Sequence, residues 1–407
     1  MEVYLDHAAT TWVYDDVCRL MCTVMAKDYG NPSSLHMKGV EAEKYMKEAK
    51  AVFAGLLKTE PKEIYFTSGG TESNNTALIG GAMANARSGK HIISTSIEHA
   101  SVYNPLLYLE SQGFEITWLP VDGRGVVSLE ALRKALRPDT ILVSVMCVNN
   151  EIGTVQPLDK IGKIIKDYNK DILFHVDAIQ GFGKMRIYPK RLGIDLLSIS
   201  GHKIHGPKGT GVLYMRDKVK LRPLMFGGGQ QRDMRSGTEN VPGIAGMARA
   251  AQMIYEDFDQ KTELMYARRD EFVEALKTIE GTVIHGFEHK ISDNGDMYAC
   301  TGVGGDGFSH GPAPHIVSAA FENIRAEVLL HALEERGVYV SSGSACSSNH
   351  PAISGTLKAI GVPKKYLDAT VRFSMCAETT KEELDECVDQ LRALIPVLRR
   401  YTPGGRR

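Results

Sequence analysis

The chain has 407 residues, 43% apolar and 24% charged, which supplies a large buried core and excludes a mainly disordered polymer. Its 48 basic and 49 acidic side chains leave a net charge of -1, so no global field draws in nucleic acid or an anionic membrane, and direct contact with neither is expected. The longest apolar run, 141–148, is interrupted by Ser144 and falls far short of the roughly 20 residues that span a bilayer.

The N-terminal Met1-Glu-Val-Tyr-Leu-Asp6 has neither the basic nor the apolar region of a signal peptide, so the expected location is cytoplasmic. Seven cysteines, odd in number and scattered, lack the paired spacing of a structural zinc site and read as reduced thiols. Cys18 and Cys22, four apart on an expected helix, read as two small buried residues rather than a metal pair. From 62 to 214, β-rich runs at 63–67, 91–95, 115–120, 140–145, 172–177, 195–200 and 210–214 alternate with helical stretches. That alternation predicts an α/β fold, a mainly parallel sheet covered by helices on both faces. Residues 241–279 turn helical, and after Pro314 two short strands alternate with helices. A final amphipathic helix follows, with Leu384, Cys387, Val388, Leu391, Leu394, Ile395 and Leu398 on one face. This second pattern predicts a smaller domain packed on the first. Between them the stretch 292–314, with six glycines, reads as a long surface loop.

Chemistry enters at Ser198-Ile-Ser-Gly-His-Lys203. Ligands of open α/β sheets bind beyond the carboxyl ends of the strands, so Lys203 is placed to form a Schiff base with an aldehyde cofactor. Asp177 closes another strand and reaches the same crevice, where a carboxylate facing a pyridinium nitrogen keeps it protonated. Gln180, three residues on, is placed to donate to a ring hydroxyl. Thr67-Ser-Gly-Gly-Thr-Glu-Ser-Asn-Asn75 joins a strand to a helix and offers a phosphate the backbone N–H groups around Gly70 and Thr71. His99 follows the next strand and suits ring stacking and proton transfer. Cys346 sits among small residues in Ser341-Ser-Gly-Ser-Ala-Cys-Ser-Ser348, a segment on which a thiol can swing. Arg372 is the candidate partner for a substrate carboxylate. Taken singly, each has a plainer reading: Asp177 a helix cap, His99 a structural histidine, Cys346 a small buried thiol, Arg372 a surface cation.

Together with Tyr4-Leu-Asp-His-Ala-Ala-Thr-Thr11, Gly30-Asn-Pro-Ser-Ser34, Asn149-Asn-Glu-Ile-Gly-Thr154, His175-Val-Asp-Ala178 and Arg235-Ser-Gly-Thr-Glu-Asn240, these motifs run nearly end to end. The chain resembles the NifS/IscS-like cysteine desulfurases, class V enzymes of pyridoxal-phosphate fold type I. The resemblance implies a seven-stranded large domain over 16–255, and a small domain of 256–407 that carries the Cys346 loop and is joined by segment 1–15. It implies Lys203 as the Schiff-base lysine, Asp177 at the pyridine nitrogen, Gln180 and Asn150 near the ring hydroxyl, and His99 stacked on the ring. Thr71, Ser200 and His202 would hold phosphate, and Thr238 would reach the phosphate of a neighbouring subunit in a homodimer. Asn31 and Arg372 would grip L-cysteine. The implied reaction yields alanine and a persulfide on Cys346, passed to a protein acceptor such as an iron–sulfur scaffold or a thiolation enzyme. No resident metal is expected, and a transient iron–sulfur ligand role for Cys346 stays open.

Three departures stand out. The 292–314 stretch is longer than the corresponding link in relatives, Ser374-Met-Cys-Ala-Glu378 replaces a common Ser-Leu-Gly-Arg, and Pro351 falls early after Cys346. Two rival readings are an aminotransferase or lyase of the same fold, which has no use for a mobile thiol, and an inactive scaffold, which would need a broken cofactor site.

Overall fold

The structure is a computed structural model and describes residues 1–288, 311–342 and 354–400. Its strands, in chain order, are β1 (Val3–Tyr4), β2 (Ile64–Thr67), β3 (His91–Thr95), β4 (Glu115–Leu119), β5 (Thr140–Met146), β6 (Thr154–Val155) and β7 (Leu173–Asp177). After them come β8 (Leu196–Ser200), β9 (Gly211–Met215), β10 (Thr282–His285), β11 (Gly311–Pro312), β12 (Ile316–Phe321), β13 (Val338–Tyr339) and β14 (Thr370–Ser374).

All seven expected runs of the first half join one sheet, in the order β2-β9-β8-β7-β5-β3-β4. Only β9 runs against its neighbours. Parallel strands covered on both faces read as continuous apolar runs, and β5, β7 and β8 are buried at every residue. One face packs on the helices Met37–Leu57 and Val241–Tyr255 through a core that includes Phe53, Phe66, Phe174 and Ile199. The other face covers Leu78, Val102 and Leu106. Each such side chain, taken out of water, contributes about 1.5–3 kcal/mol. His175 interrupts the apolar run of β7 but is satisfied across the sheet, by Ser144 Oγ at 2.8 Å and Ser198 Oγ at 3.1 Å. Burial lowers its pKa to about 3, so it is a neutral cross-strand brace.

The second half builds an antiparallel sheet, β10-β12-β14, over its own core of Phe272, Phe321, Phe373 and the final helix, Lys381–Arg399. Val3 and Leu5 are buried in that core, and β1 pairs with β13. The final helix buries Leu384, Cys387, Val388, Leu391 and Ile395 and packs Leu394 and Leu398 at the edge, as its periodicity predicts.

The helical stretch 241–279 holds two helices, Val241–Tyr255 and Phe258–Lys277, broken where Asp257 turns left-handed at φ 51°. Three expectations need correction. Three strands rather than two follow Pro314, and β10, only four residues long, gave no alternation to read. The C-terminal end of the expected surface loop is no loop: Gly311 and Pro312 are buried and pair with β6, while 289–310 lie outside the described residues. Cys18 and Cys22 are exposed rather than buried, on the solvent side of the helix Asp15–Ala26, whose core-facing positions are Val17 and Val24.

Candidate active site

The carboxyl ends of β5, β7 and β8 and the turns after β2 and β3 converge on a cavity of about 320 Å³. This is the place where an open α/β sheet leaves a crevice beyond its strand ends. Strand register aligns the donors: Met146 of β5 lies beside Asp177 of β7, and Asp177 beside Ser198 of β8.

Lys203 follows β8 in a single tight turn, Gly201–Lys203, and its Nζ donates to the carbonyl oxygens of Ala8 and Ala9 at 2.5 and 2.6 Å. The N-terminal segment therefore forms one wall of the cavity. Asp177 ends β7 with a buried carboxylate; Oδ1 accepts from the Ile179 N–H at 3.0 Å and Oδ2 from Asn74 Nδ2 at 2.8 Å. Burial raises its pKa, while the Ile179 and Asn74 hydrogen bonds and the Lys203 charge pull it back. Gln180 donates from Nε2 to the Ala8 carbonyl at 2.9 Å, and its Oε1 lies 3.3 Å from His315 Nε2, so both ends of the amide are already engaged.

His99 caps the helix Ala100–Ser111: its Nδ1 accepts from the Ser101 N–H at 3.1 Å and lies 2.8 Å from Ser101 Oγ. An Nδ1 that accepts a backbone N–H carries no proton, so the neutral ring is protonated at Nε2. Asn74 joins the two halves of the floor. One proton of its Nδ2 goes to Asp177, the other to Ser101 Oγ at 2.9 Å, which leaves the Ser101 hydroxyl proton for His99. A continuous chain thus runs Asp177–Asn74–Ser101–His99.

Gly70, Thr71, Ser200 and His202 also line the cavity. A Cβ on Gly70 would sit 2.2 Å from Ile179 Cδ1, so any larger residue there would have to push that side chain aside. Burial, then the Lys203 and Lys208 charges, lower the His202 pKa to about 4. Arg372 reaches the cavity from β14, fully buried; Nη2 donates to Asp6 Oδ1 at 2.9 Å and Nη1 to the Asn150 carbonyl at 2.8 Å. Among the described residues its buried Nε has no hydrogen-bond partner.

Ten sequence-predicted residues thus line one cavity: Gly70, Thr71, His99, Asn150, Asp177, Gln180, Ser200, His202, Lys203 and Arg372. Asn31 and Thr238 do not; both are exposed, and the Asn31 side chain accepts from the Ser33 N–H instead. Cys346 lies outside the described residues. Sequence reasoning missed Asn74 and Ser101, though both fall in or beside the motifs it quoted, because a small amide and a hydroxyl carry no distinctive charge. It also missed Glu98. Glu98 Oε1 accepts from Thr95 Oγ1 at 2.6 Å and the Met146 N–H at 2.9 Å, while Oε2 is buried without a partner. Burial pushes this carboxyl up to about 8, the Asp177 charge adding to the effect.

A family model described as aminotransferase class-V matches residues 3–302 and 306–387. The chain belongs to the class-V aminotransferase family. A relative from Methanosarcina thermophila named cysteine desulfurase IscS is 41% identical over 402 residues, which cover 98% of this chain and 94% of the relative. Among solved structures, a NifS-like protein is 38% identical with a TM-score of 0.87, covering 98% of this chain and all of that one. Another, SspA in complex with cysteine, is 33% identical with a TM-score of 0.77, covering 93% of this chain and all of that one.

Class-V aminotransferases of this kind depend on pyridoxal phosphate, and the cavity fits that group on its own evidence. A buried carboxylate suits a pyridinium nitrogen, a lysine amine lies at the neighbouring strand end, and a side-chain-free Gly70 clears a cradle at the start of the helix Gly70–Asn75. Among the described residues no helix is long and apolar enough to cross a membrane.

Proposed function

We infer that the chain is a cysteine desulfurase, which takes sulfur from free L-cysteine and releases alanine. The observation that carries this reading is the pairing of the buried Asp177 with Lys203 in one cavity, closed on its far side by the buried Arg372. When bound, pyridoxal phosphate supplies an electron sink for the charge left at the substrate's α-carbon. Lys203 would hold the cofactor's aldehyde carbon, Asp177 its ring nitrogen, and Gly70, Thr71, Ser200 and His202 its phosphate. Gln180 and Asn150 would stand near the ring hydroxyl.

Arg372, already fixed by Asp6 and the Asn150 carbonyl, would orient the substrate carboxylate without paying rotamer entropy at binding. Lys203 would take the α-proton and return it. His99, with its proton at Nε2, would donate from that atom while Ser101 and Asn74 hold Nδ1 proton-free. Cys346, as thiolate, would attack the substrate sulfur: a sulfur–sulfur bond forms, the carbon–sulfur bond breaks, and the electron pair leaves with the carbon skeleton, which is protonated to alanine. The persulfide on Cys346 would then pass to an acceptor protein for iron–sulfur cluster assembly or thiolation.

The assembly in this reading is a homodimer, in which the exposed Thr238 would meet the phosphate of the other subunit. The division of labour is a cofactor-holding body, 16–255, and a smaller one, 1–15 with 256–407, that carries Arg372 and Cys346. A cytoplasmic setting keeps the thiols reduced. The reading is tested by incubating the enzyme with L-cysteine and measuring the mass of the peptide that contains Cys346. A gain of one sulfur atom, reversed by reductant and matched by alanine, is expected; alanine formed with that peptide unmodified would remove Cys346 from the mechanism.

A further inference from the structure

The Ser374-Met-Cys-Ala-Glu378 segment, which the cavity leaves unused, lies at the centre of a second cluster. His205 Nε2, Cys376 Sγ and a carboxylate oxygen of Glu378 all lie within 4.8 Å of one another, with Nε2 and Oε2 3.8 Å apart. The cluster joins two parts of the fold. His205 stands two residues beyond Lys203 in the turn after β8; Cys376 and Glu378 follow β14 on the way to the helix Lys381–Arg399.

Each donor atom is already aimed. His205 Nδ1 lies 3.0 Å from the Trp12 carbonyl, to which it can only donate, so the lone pair is on Nε2 and faces Glu378. The Tyr14 ring stacks on the imidazole, centroids 4.3 Å apart and planes within 6°. The Tyr14 hydroxyl donates to Glu378 Oε1 at 2.6 Å, and Oε2 is the oxygen that faces the imidazole. Cys376 is fixed by its N–H, which donates to Thr379 Oγ1 at 3.0 Å. A void of about 10 Å³, the size of one water, opens beside Tyr14, Lys184, His205 and Glu378. Two acceptors that face each other beside a thiol are an arrangement a cation completes.

We propose that His205, Cys376 and Glu378 form a binding site for a thiophilic divalent transition-metal ion of the Zn²⁺ class, through Nε2, Sγ and Oε2, with a fourth position left to water. Mixed nitrogen, sulfur and oxygen donors in a set of three match the ligand chemistry of such ions and disfavour Mg²⁺ or Ca²⁺. Burial keeps His205 neutral, its pKa near 4, and holds the Cys376 proton in place, so the metal–sulfur bond forms as the thiol proton leaves to solvent. Lys184, buried near Cys376 and Glu378, is the competing cation. Bound there, the ion ties the turn that carries Lys203 to the strand that carries Arg372.

The test uses full-length, cofactor-loaded protein in a Cys346→Ser background, titrated with Co²⁺ as an optical probe and with Zn²⁺ as competitor. One equivalent of Co²⁺ should give a thiolate charge-transfer band and tetrahedral d–d bands to the red of the cofactor, displaced by Zn²⁺ and untouched by Mg²⁺. Saturating Zn²⁺ should raise the melting temperature. Cys376→Ala, or the closer Cys376→Ser should the first misfold, abolishes the thiolate band; Glu378→Gln weakens Co²⁺ binding about tenfold or more. Replacing Cys18 and Cys22 by serine leaves the band intact. A band that survives loss of Cys376, one that vanishes with Cys18 and Cys22, or no thiolate-ligated equivalent at all overturns the proposal.

Discussion

The floor of the cavity and its mouth are built in opposite ways. The floor is set at the ends of buried parallel strands, where Asp177 and Ser200 are nearly inaccessible and the chain Asp177–Asn74–Ser101–His99 leaves few polar atoms free to choose a partner. The mouth has no such scaffold. Asn31 and Thr238 are exposed and contribute nothing to the cavity of a single chain, and Cys346 lies outside the described residues. Groups on or just beyond the strands, Arg372 of β14 included, are thus preorganised by the sheets, whereas Asn31 and Thr238 are carried on connections.

The contrast is broken most sharply at Lys203 and Cys346. Lys203→Ala should bring alanine formation from L-cysteine to background and abolish the visible absorption of the bound cofactor, because it removes a floor residue. Cys346→Ser should also abolish sulfur release, yet its visible spectrum should still respond to L-cysteine; a spectrum that no longer responds would mean the mouth helps to build the floor. Next in size, His99→Gln should cost about 10²–10⁴-fold in kcat if the ring transfers a proton. Ser101→Ala, which removes one hydrogen bond to Nδ1, should cost about tenfold, with KM unchanged. Nitrogen NMR of the His99 ring in the cofactor-free Ser101→Ala protein should still show the proton at Nε2, held there by the backbone N–H of residue 101.

Glu98 acts on stability rather than on turnover. An unfolded glutamate loses its proton near 4.5, whereas burial holds that of Glu98 to about 8, so between these values the folded state keeps a proton the unfolded state has lost. Stability from this group is complete below pH 4.5 and declines as pH rises to about 8, at no more than about 1.4 kcal/mol per pH unit. Denaturant melts at pH 5 and pH 8 should show Glu98→Gln gaining on the parent as pH rises; parallel curves would mean that the carboxyl is ionised throughout.

The same division explains what was legible in the sequence. The strands of the main sheet could be read because most of them are continuous apolar runs, and Asp177 and Lys203 because one closes a strand and the other follows one by a single turn. Strand β10 was hidden by its length and by a single buried position, His285, which leaves no alternation. Cys18 and Cys22 were misplaced because four-residue spacing fixes a common face without saying which face. Asn74 and Ser101 were hidden for another reason: their role exists only where the helix Gly70–Asn75 meets the helix Ala100–Ser111, a contact between segments that no local pattern records. Arg372 was named correctly as a cavity residue, but its bonds to Asp6 and the Asn150 carbonyl depend on strand pairing at β14.

The most direct measurement is the absorbance spectrum of the purified, cofactor-loaded enzyme before and after addition of L-cysteine, with alanine and sulfide assayed in the same tube. The account predicts a visible band that shifts on addition of cysteine, with alanine accumulating over many turnovers. A protein that cannot be loaded with pyridoxal phosphate, or one whose band shifts without any alanine appearing, would contradict it.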